Sequence, residues 1–444
     1  MLATTSLGML ALLSVSLVRF SHSISVPQLV AFYIMPAGIA ACCTWLLFST
    51  RAVRAQAALL ITSMALALYM VEFVLQCQDV PKVAQEVARA RGQEADPRSR
   101  TEFVRDRRQG GERIFPHLSA PQLLAREAVA TGEGSILPLA PGVSRASITL
   151  CNEEGEFVVH RSDEYGFHNP LGLWGDATAV DVLLIGDSFV HGMCAPAENT
   201  LAGLLRRRWP SLLNLGVSGA GPLFELAVLR EYGPEIQPPV VLWFYYEGND
   251  PFDLSVERND GRLLRYLEAG FRQDLRHHQS TLDDAMIGLL DSIIESGSAP
   301  EALMAAAPKW SAVRSAATLS AFRTVTGLGL RLPTRADPIA MFPAVMAEAQ
   351  KTVASWGGQL FVVYLPAYAR YHLWFSHNLV GRSEVLGTLD SLAIPVIDLD
   401  SAFRAEDSPA SLWLHPAGHY SNRGNTLVSR VVLSEVTQDP SPPR

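Results

Sequence analysis

The chain has 444 residues, 48% of them hydrophobic, and a formal net charge of −8; its mean hydropathy is +0.16. That length exceeds one average domain, and the hydropathy is high for a wholly soluble protein. The acidic balance, with no basic stripe, argues against nucleic acid as a partner and suits a neutral or polymeric substrate.

The apolarity is concentrated at the front. Residues 2–18, 26–48 and 57–75 are long apolar stretches, and a helical span of a bilayer needs about 20 such residues. Three spans are therefore expected within a membrane region 1–77. The first is short and rich in Ser and Thr; it also reads as the core of a signal peptide, although the basic segment that such sequences carry is missing. Arg51 and Arg54 fall in the short connection between the second and third stretches, which marks that connection as cytoplasmic. Everything after about Gln76 is then expected on the periplasmic side of a bacterial inner membrane, with the lipid bilayer as a partner.

Residues 78–147 read as a connecting segment. Its charged run RTEFVRDRRQGGER suggests a helix lifting the next domain off the bilayer, and the Pro- and Gly-rich sequence 114–143 suggests an extended wrap along the domain surface rather than a packed element. From 148 to 437 strand-like and helix-like segments alternate. Strands are predicted at 181–185, 212–215, 240–246, 360–365 and 395–399, which gives an α/β domain with a parallel sheet covered on both faces. One helix-rich insertion, 254–338, carries apolar residues at helical spacing and reads as packing surface or as a lid at the carboxyl edge of the sheet. The tail 438–444 is expected to be disordered.

Of five cysteines, Cys42 and Cys43 lie in the second apolar stretch and Cys77 at the membrane boundary after the third. Cys151 and Cys194 remain in the exported part, where an oxidising compartment permits them to pair. The pair is read as a bridge in preference to two separate buried thiols. Such a bridge ties the segment before the strand at 181–185 to the loop after Ser188, and in the chain-entropy model contributes roughly 3 to 4 kcal/mol. The spacing of His and Cys residues suggests no metal, and nothing calls for a cofactor.

The chemistry-bearing stretch is VDVLLIGDSFVHG. An aliphatic run stops at Gly186-Asp187-Ser188, with helix-like sequence following, which presents Ser188 at the carboxyl end of a buried strand, where α/β sheets collect their ligands. Alone, the tripeptide is an ordinary turn signal. After the second strand, NLGVSGAGP places Gly219, and a glycine there lets a backbone N–H approach a reacting carbonyl. After the third, YYEGND places the Asn249 amide. Near the C-terminus, HPAGHYSNRGNTLVSRVV holds His415 and His419, the latter followed by Asn422, Gly424 and an amphipathic helix.

In order and spacing these blocks resemble the SGNH/GDSL hydrolases: Gly186-Asp187-Ser188 the first block, Ser218-Gly219 the second, Asn249-Asp250 the third, and His419 with its following Asn and Gly the last. The resemblance covers roughly 181–432 and implies a flavodoxin-like three-layer α/β/α sandwich. It implies Ser188 as nucleophile, His419 as general base, and Ser188 N–H, Gly219 N–H and Asn249 as oxyanion donors. Two positions depart from the pattern. Glu247 stands where the third block begins with glycine, and Pro416 stands where the family places the aspartate that orients its histidine. Asp400, Asp398, His415 or Asp250 could orient or assist from nearby, or a backbone carbonyl could leave a Ser-His dyad; His415 is also the rival base. SDEYGFHNP, 162–170, is expected to seal the sheet's edge or line the pocket, and Tyr368, Arg370 and Tyr371 to pack or to stack on sugar rings.

The resemblance and the expected location together imply a membrane-anchored serine esterase acting on O-acyl esters of an extracytoplasmic acylated carbohydrate or lipid-linked glycan. An O-acetyltransferase using the same Ser-His site is the nearest alternative. A non-catalytic carbohydrate-binding or assembly protein is the alternative of another class, because function follows the site and not the fold.

Overall fold

The computed structural model describes residues 7–11, 14, 33–77, 88, 92, 94–126, 128–131, 134–175, 180–296, 319, 339–371, 381–414 and 418–438. The chain divides into two compact units, one of Met1–Pro81 with Ala307–Asp337 and His372–Val380, the other of Lys82–Ala306, Pro338–Tyr371 and Gly381–Arg444.

In the first unit, α1 (Met35–Leu47) and α2 (Arg51–Cys77) are helical. The stretch Arg51–Val74, 24 residues at mean hydropathy 2.0, is among the described residues the one helix long and apolar enough to cross a membrane. At about 1.5 Å per residue it exceeds the ~30 Å hydrocarbon core. α1, at 13 residues, is shorter. The expected first span and the start of the second lie outside the described residues, as does the tail from 439.

The second unit begins well before the predicted domain start. Helix α3 (Arg100–Gln109) opens with a reciprocal cap, in which Glu102 N–H donates to Ser99 Oγ and Ser99 N–H to Glu102 Oε2. It is not a free connection to the membrane region: Phe103 and Val104 are buried, Arg108 pairs with Asp291 at 2.7 Å and Arg105 Nη2 donates to Ile294 O at 2.6 Å. Next come β1 (Ile114–Pro116), α4 (Ala120–Leu124), β2 (Val129–Thr131), β3 (Gly134–Ile136), β4 (Ser147–Thr149) and β5 (Val159–Arg161). β1 pairs in parallel with β4, and β4 antiparallel with β5. The surface wrap predicted for 114–143 is thus overturned. Phe115, Leu118, Leu123, Leu137, Leu139 and Val143 enter the same core as the main sheet. Pro and Gly interrupt regular structure there, but the apolar side chains between them still gain about 1.5–3 kcal/mol each by leaving water.

The main sheet holds β6 (Val182–Ile185), β7 (Leu213–Asn214), β8 (Val240–Tyr246), β9 (Gln359–Leu365) and β10 (Val396–Asp398), close to the predicted strands. All pairs are parallel, in the order β10-β9-β8-β6-β7. This is the doubly wound order of flavodoxin-like sheets, with the strand order reversing beside β6. The expected sandwich is borne out. Alternate residues divide between the faces: Leu183, Ile185, Val241, Trp243 and Tyr245 on one side, Val182, Leu184, Val240, Leu242 and Phe244 on the other, as the period of two requires.

The covering helices include, in chain order, α5 (Ser188–His191), α6 (Leu201–Leu205), α7 (Pro222–Ile236), α8 (Asp250–Glu257), α9 (Gln279–Ser296), α10 (Phe342–Ala354), α11 (Arg382–Ser391) and α12 (Asn422–Gln438). Side chains of α7, α9, α10 and α11 fill the first face, those of α6 and α12 the second. In the predicted insertion, Leu282, Met286 and Leu290 of α9 are buried packing residues; residues 297–338, apart from Leu319, lie outside the described residues.

Candidate active site

β6 ends at Ile185, and the chain turns at Gly186 into the single helical turn α5, led by Ser188. Gly186 is required by close approach: a Cβ there would lie 2.5 Å from Val190 Cγ2 and 3.2 Å from Phe244 Cβ. Asp187 caps the turn, its Oδ1 accepting from Phe189 N–H at 2.9 Å. Ser188 is 9% exposed, and its carbonyl accepts from Gly192 and Met193, both at 3.1 Å. The serine thus stands at the carboxyl edge of the sheet, on the first turn beside the switch point.

The two neighbouring strand ends meet this turn. After β7, Val217 N–H donates to Gly186 O at 3.0 Å, and Gly219 takes φ +70, a left-handed conformation that favours glycine. The Gly219 N–H has no hydrogen-bond partner among the described residues. Helix α4, from the segment predicted to be a surface wrap, closes this loop from outside: Ala120 N–H donates to Ser218 O at 2.8 Å. From α8, the Glu257 carboxylate accepts from the amides of Gly221 (2.6 Å), Leu223 (3.0 Å) and Phe224 (3.3 Å), capping α7 where Gly221 offers no side chain. Burial nonetheless pushes the Glu257 carboxyl up to about 7. After β8, Asn249 Nδ2 donates to Asp187 Oδ2 at 3.1 Å. Asp187 therefore joins the first block to the third, and its own carboxyl is raised by burial.

His419 precedes α12. Its ring lies 5.2 Å from that of Phe189, the residue following Ser188, and Phe189 also packs on Tyr246 and Tyr420. His419 Nδ1 lies 2.9 Å from Glu153 Oε1, and its backbone N–H donates to Glu153 Oε2 at 3.4 Å. Glu153 was not among the predicted site residues. The groups proposed for its place are engaged elsewhere: Asp400 accepts from Tyr371 Oη at 2.9 Å and pairs with Arg404, Asp398 pairs with Arg382, and Asp250, fully buried, accepts from Tyr246 N–H at 2.8 Å. His415 and Pro416 lie outside the described residues. A signal for Glu153 was present in the sequence, because it follows by two residues the cysteine expected to reach the nucleophile loop. That bridge is formed: Cys151 and Cys194 are disulfide-bonded, with Cα atoms 5.2 Å apart.

The second departure from the family pattern is answered by a compensating charge. Glu247, 3% exposed, accepts from Tyr364 Oη (2.7 Å), Ala367 N–H (2.8 Å) and Arg370 Nε (2.7 Å), with a further bond from Arg370 Nη2. Arg370 thus has a structural partner in Glu247, Tyr371 Oη donates to Asp400, and Tyr368 packs edge-on against Trp413; all three side chains are half-buried. SDEYGFHNP seals the sheet edge. Asp163 accepts from Tyr165 N, Phe167 N, Asn169 Nδ2 and Trp174 Nε1, while Asn169 bonds both backbone groups of Asn214 in β7.

Behind α5 the fold gathers four histidines that sequence spacing did not connect. The rings of His117, His160 and His168 lie 6.0, 6.1 and 6.2 Å from that of His191, and His160 stacks on His168 at 3.7 Å. Burial drives all four below the usual histidine range, His168 to about 4.

No protein-family model matches this chain, and no curated protein matches it. Solved structures are similar in part. The lipase/acylhydrolase from Enterococcus faecalis is 14% identical over 60% of this chain and 98% of that one, with a TM-score of 0.33. A putative lipolytic protein of the G-D-S-L family from Desulfitobacterium hafniense is 12% identical over 57% and 97%, with a TM-score of 0.32. The acetyl xylan esterase AlAXEase is 13% identical over 58% and 100%, with a TM-score of 0.31. At such identities and scores these likenesses carry no weight of their own. The resemblance to the SGNH/GDSL hydrolases is carried instead by this chain's sheet order and by the placement of its four sequence blocks around Ser188.

Proposed function

We propose that the protein is a membrane-anchored serine esterase that cleaves O-acyl esters of an extracytoplasmic polysaccharide or lipid-linked glycan. The observation that carries this reading is the placement of His419: its ring packs beside the residue following Ser188 while Nδ1 is held by a carboxylate. That leaves Nε2 as the nitrogen for proton transfer.

Ser188 Oγ forms a bond to the ester carbonyl carbon as its proton passes to His419 Nε2. The oxyanion that develops is met by the N–H groups of Ser188 and Gly219 and by Asn249 Nδ2. On collapse the C–O bond to the alcohol breaks, and the alcohol leaves with the proton from His419. Water, deprotonated by His419, then releases the acyl group and returns Ser188. The bridge between Cys151 and Cys194 supports an oxidising compartment, and the apolar stretch Arg51–Val74 supports a membrane anchor.

The test is labelling of the folded, full-length protein with a serine-directed phosphonate, followed by hydrolysis of a small acetyl ester. Labelling at Ser188 that disappears in Ser188→Ala is the expected result. A folded wild type that neither labels nor hydrolyses overturns the esterase reading, and equal labelling of Ser188→Ala overturns the nucleophile. Product analysis with a glycan acceptor present tells water from a sugar hydroxyl as acyl acceptor.

A further inference from the structure

We infer that Glu153 is the positioning residue for His419 and that the Cys151–Cys194 disulfide holds it there, so that the site is complete only in the oxidised protein. The inference rests on the esterase reading and deepens it.

The geometry forms a closed circuit. Cys194 lies next to Met193, whose N–H bonds the Ser188 carbonyl; Cys194 is bonded to Cys151; Glu153 follows two residues later; and its carboxylate meets both Nδ1 and the backbone N–H of His419. His419 in turn packs on Phe189, beside Ser188. A carboxylate on Nδ1 fixes the tautomer with its proton there and stabilises the imidazolium formed during attack. The usual source of that carboxylate, three residues before the histidine, is occupied by Pro416. Here it comes from 266 residues earlier in the chain.

The backbone of the Glu153 loop is tied at its base and on its outer side. It lies between Cys151 and Val158, paired through Leu150 N–H to Val158 O (2.8 Å) and Val158 N–H to Cys151 O (3.1 Å). Asp96 N–H reaches Gly155 O at 2.7 Å, and Asn152 Nδ2 reaches Asp96 O at 3.2 Å. These bonds fix the base of the loop and its outer side. The one covalent tie toward the nucleophile turn is the disulfide, which joins residues 43 apart in sequence. Cys194, 2% exposed and at φ 62, is held in a left-handed conformation unusual for a side-chain-bearing residue. A dithiol reductant would deliver two electrons and two protons, breaking the S–S bond to two thiols while itself closing to a disulfide. The covalent link between the Glu153 segment and the nucleophile turn is then broken, and the Glu153–His419 contact loses that support.

The experiment compares full-length wild type, E153Q, E153D and C151S/C194S, oxidised and after dithiothreitol, by hydrolysis of p-nitrophenyl acetate. Folding is checked for each by melting transition. E153Q is expected to lower kcat by about 10²-fold or more with little change in KM; E153D recovers part of the rate. Reduction of wild type brings the rate to the E153Q level, whereas reduction of E153Q changes it less than about threefold, because both act through one contact. The downfield Nδ1–H proton resonance of His419, present in oxidised wild type, disappears in E153Q and on reduction. If E153Q keeps its rate within twofold, or if reduction slows E153Q by the same factor as wild type, the inference is overturned while the esterase stands. If oxidised wild type is inert and lacks the resonance, both fall.

Discussion

Asp187 Oδ2 accepts a hydrogen bond from Asn249 Nδ2 at 3.1 Å, so the aspartate of the nucleophile turn fixes the amide at the next strand end. The middle residue of Gly-Asp-Ser is thereby assigned a task other than proton transfer. It caps α5 with one oxygen and with the other holds the Asn249 amide, the proposed oxyanion donor.

Removing that donor by Asn249→Ala should lower kcat by about 10²- to 10³-fold, the usual loss for one oxyanion contact. Asp187→Ala should lower it as well, and the double variant should be little worse than the single ones, because both lose the same placed amide. Steady-state rates on a small acetyl ester measure this. Additive losses would show that Asp187 acts independently of Asn249.

Gly219→Ala tests the second strand end. The residue sits at φ +70, and an added Cβ would lie 3.0 Å from Pro121 Cδ. Strain in this region costs about 1–3 kcal/mol for a non-glycine residue, and relief by rotating the peptide would turn away the unpartnered N–H. Melting temperature and kcat should therefore fall together, with KM nearly unchanged. A variant as active as wild type would remove Gly219 from the oxyanion site.

The strands and the four site blocks were legible because each is local. A parallel strand buried on both faces must be a short unbroken apolar run, as Val182–Ile185 is, and a strand-end turn must carry its Gly, Asp and Ser consecutively. What escaped is what depends on distant partners. β1 has three residues and forms only by pairing with β4, 33 residues on, so Pro-rich sequence hid a packed element. Glu153 and His419 meet across 266 residues of chain, and only the neighbouring Cys151, through its expected bridge, hints at the contact. Arg370 neutralises Glu247 from the end of another strand, which made a satisfied carboxylate read as an anomaly.

The histidine cluster predicts an acid-sensitive fold. His168 is buried, and its folded pKa of about 4 lies below the ordinary value near 6.5. A depressed base contributes stability that is fully present above about pH 6.5 and lost as pH falls through 4; for this group the contribution is on the order of 3 kcal/mol. Asp163 and Glu257 act in the opposite sense, since their raised values near 6 and 7 withdraw stability as pH rises through that range. A difference measurement separates the two. In His168→Asn the amide can still donate to His191 O, the partner of Nδ1 at 2.9 Å, but does not titrate. The melting advantage of wild type over this variant should shrink steadily from pH 7 to pH 4; parallel curves would exclude His168 as a source of acid sensitivity.

Glu247 and Arg370 form the ion pair whose loss should cost most. The Glu247 side chain is 1% exposed and that of Arg370 is 16%, so removing one partner leaves a desolvated charge. Glu247→Gln should destabilise the unit by about 3–5 kcal/mol, as should Arg370→Met. Replacing both, Glu247→Gln with Arg370→Met, should recover a large part of that loss, because neither charge is then stranded. The Tyr364 and Ala367 donors retain an acceptor in the glutamine oxygen, which keeps the β8 and β9 ends joined. Since the pair braces the end of the strand that carries Asn249, the single variants should also lose kcat while the double variant regains it. Urea unfolding and esterase rates on the same four proteins test this cycle. A double variant no more stable than either single one would mean that the pair is held by its surroundings rather than by its own charge balance.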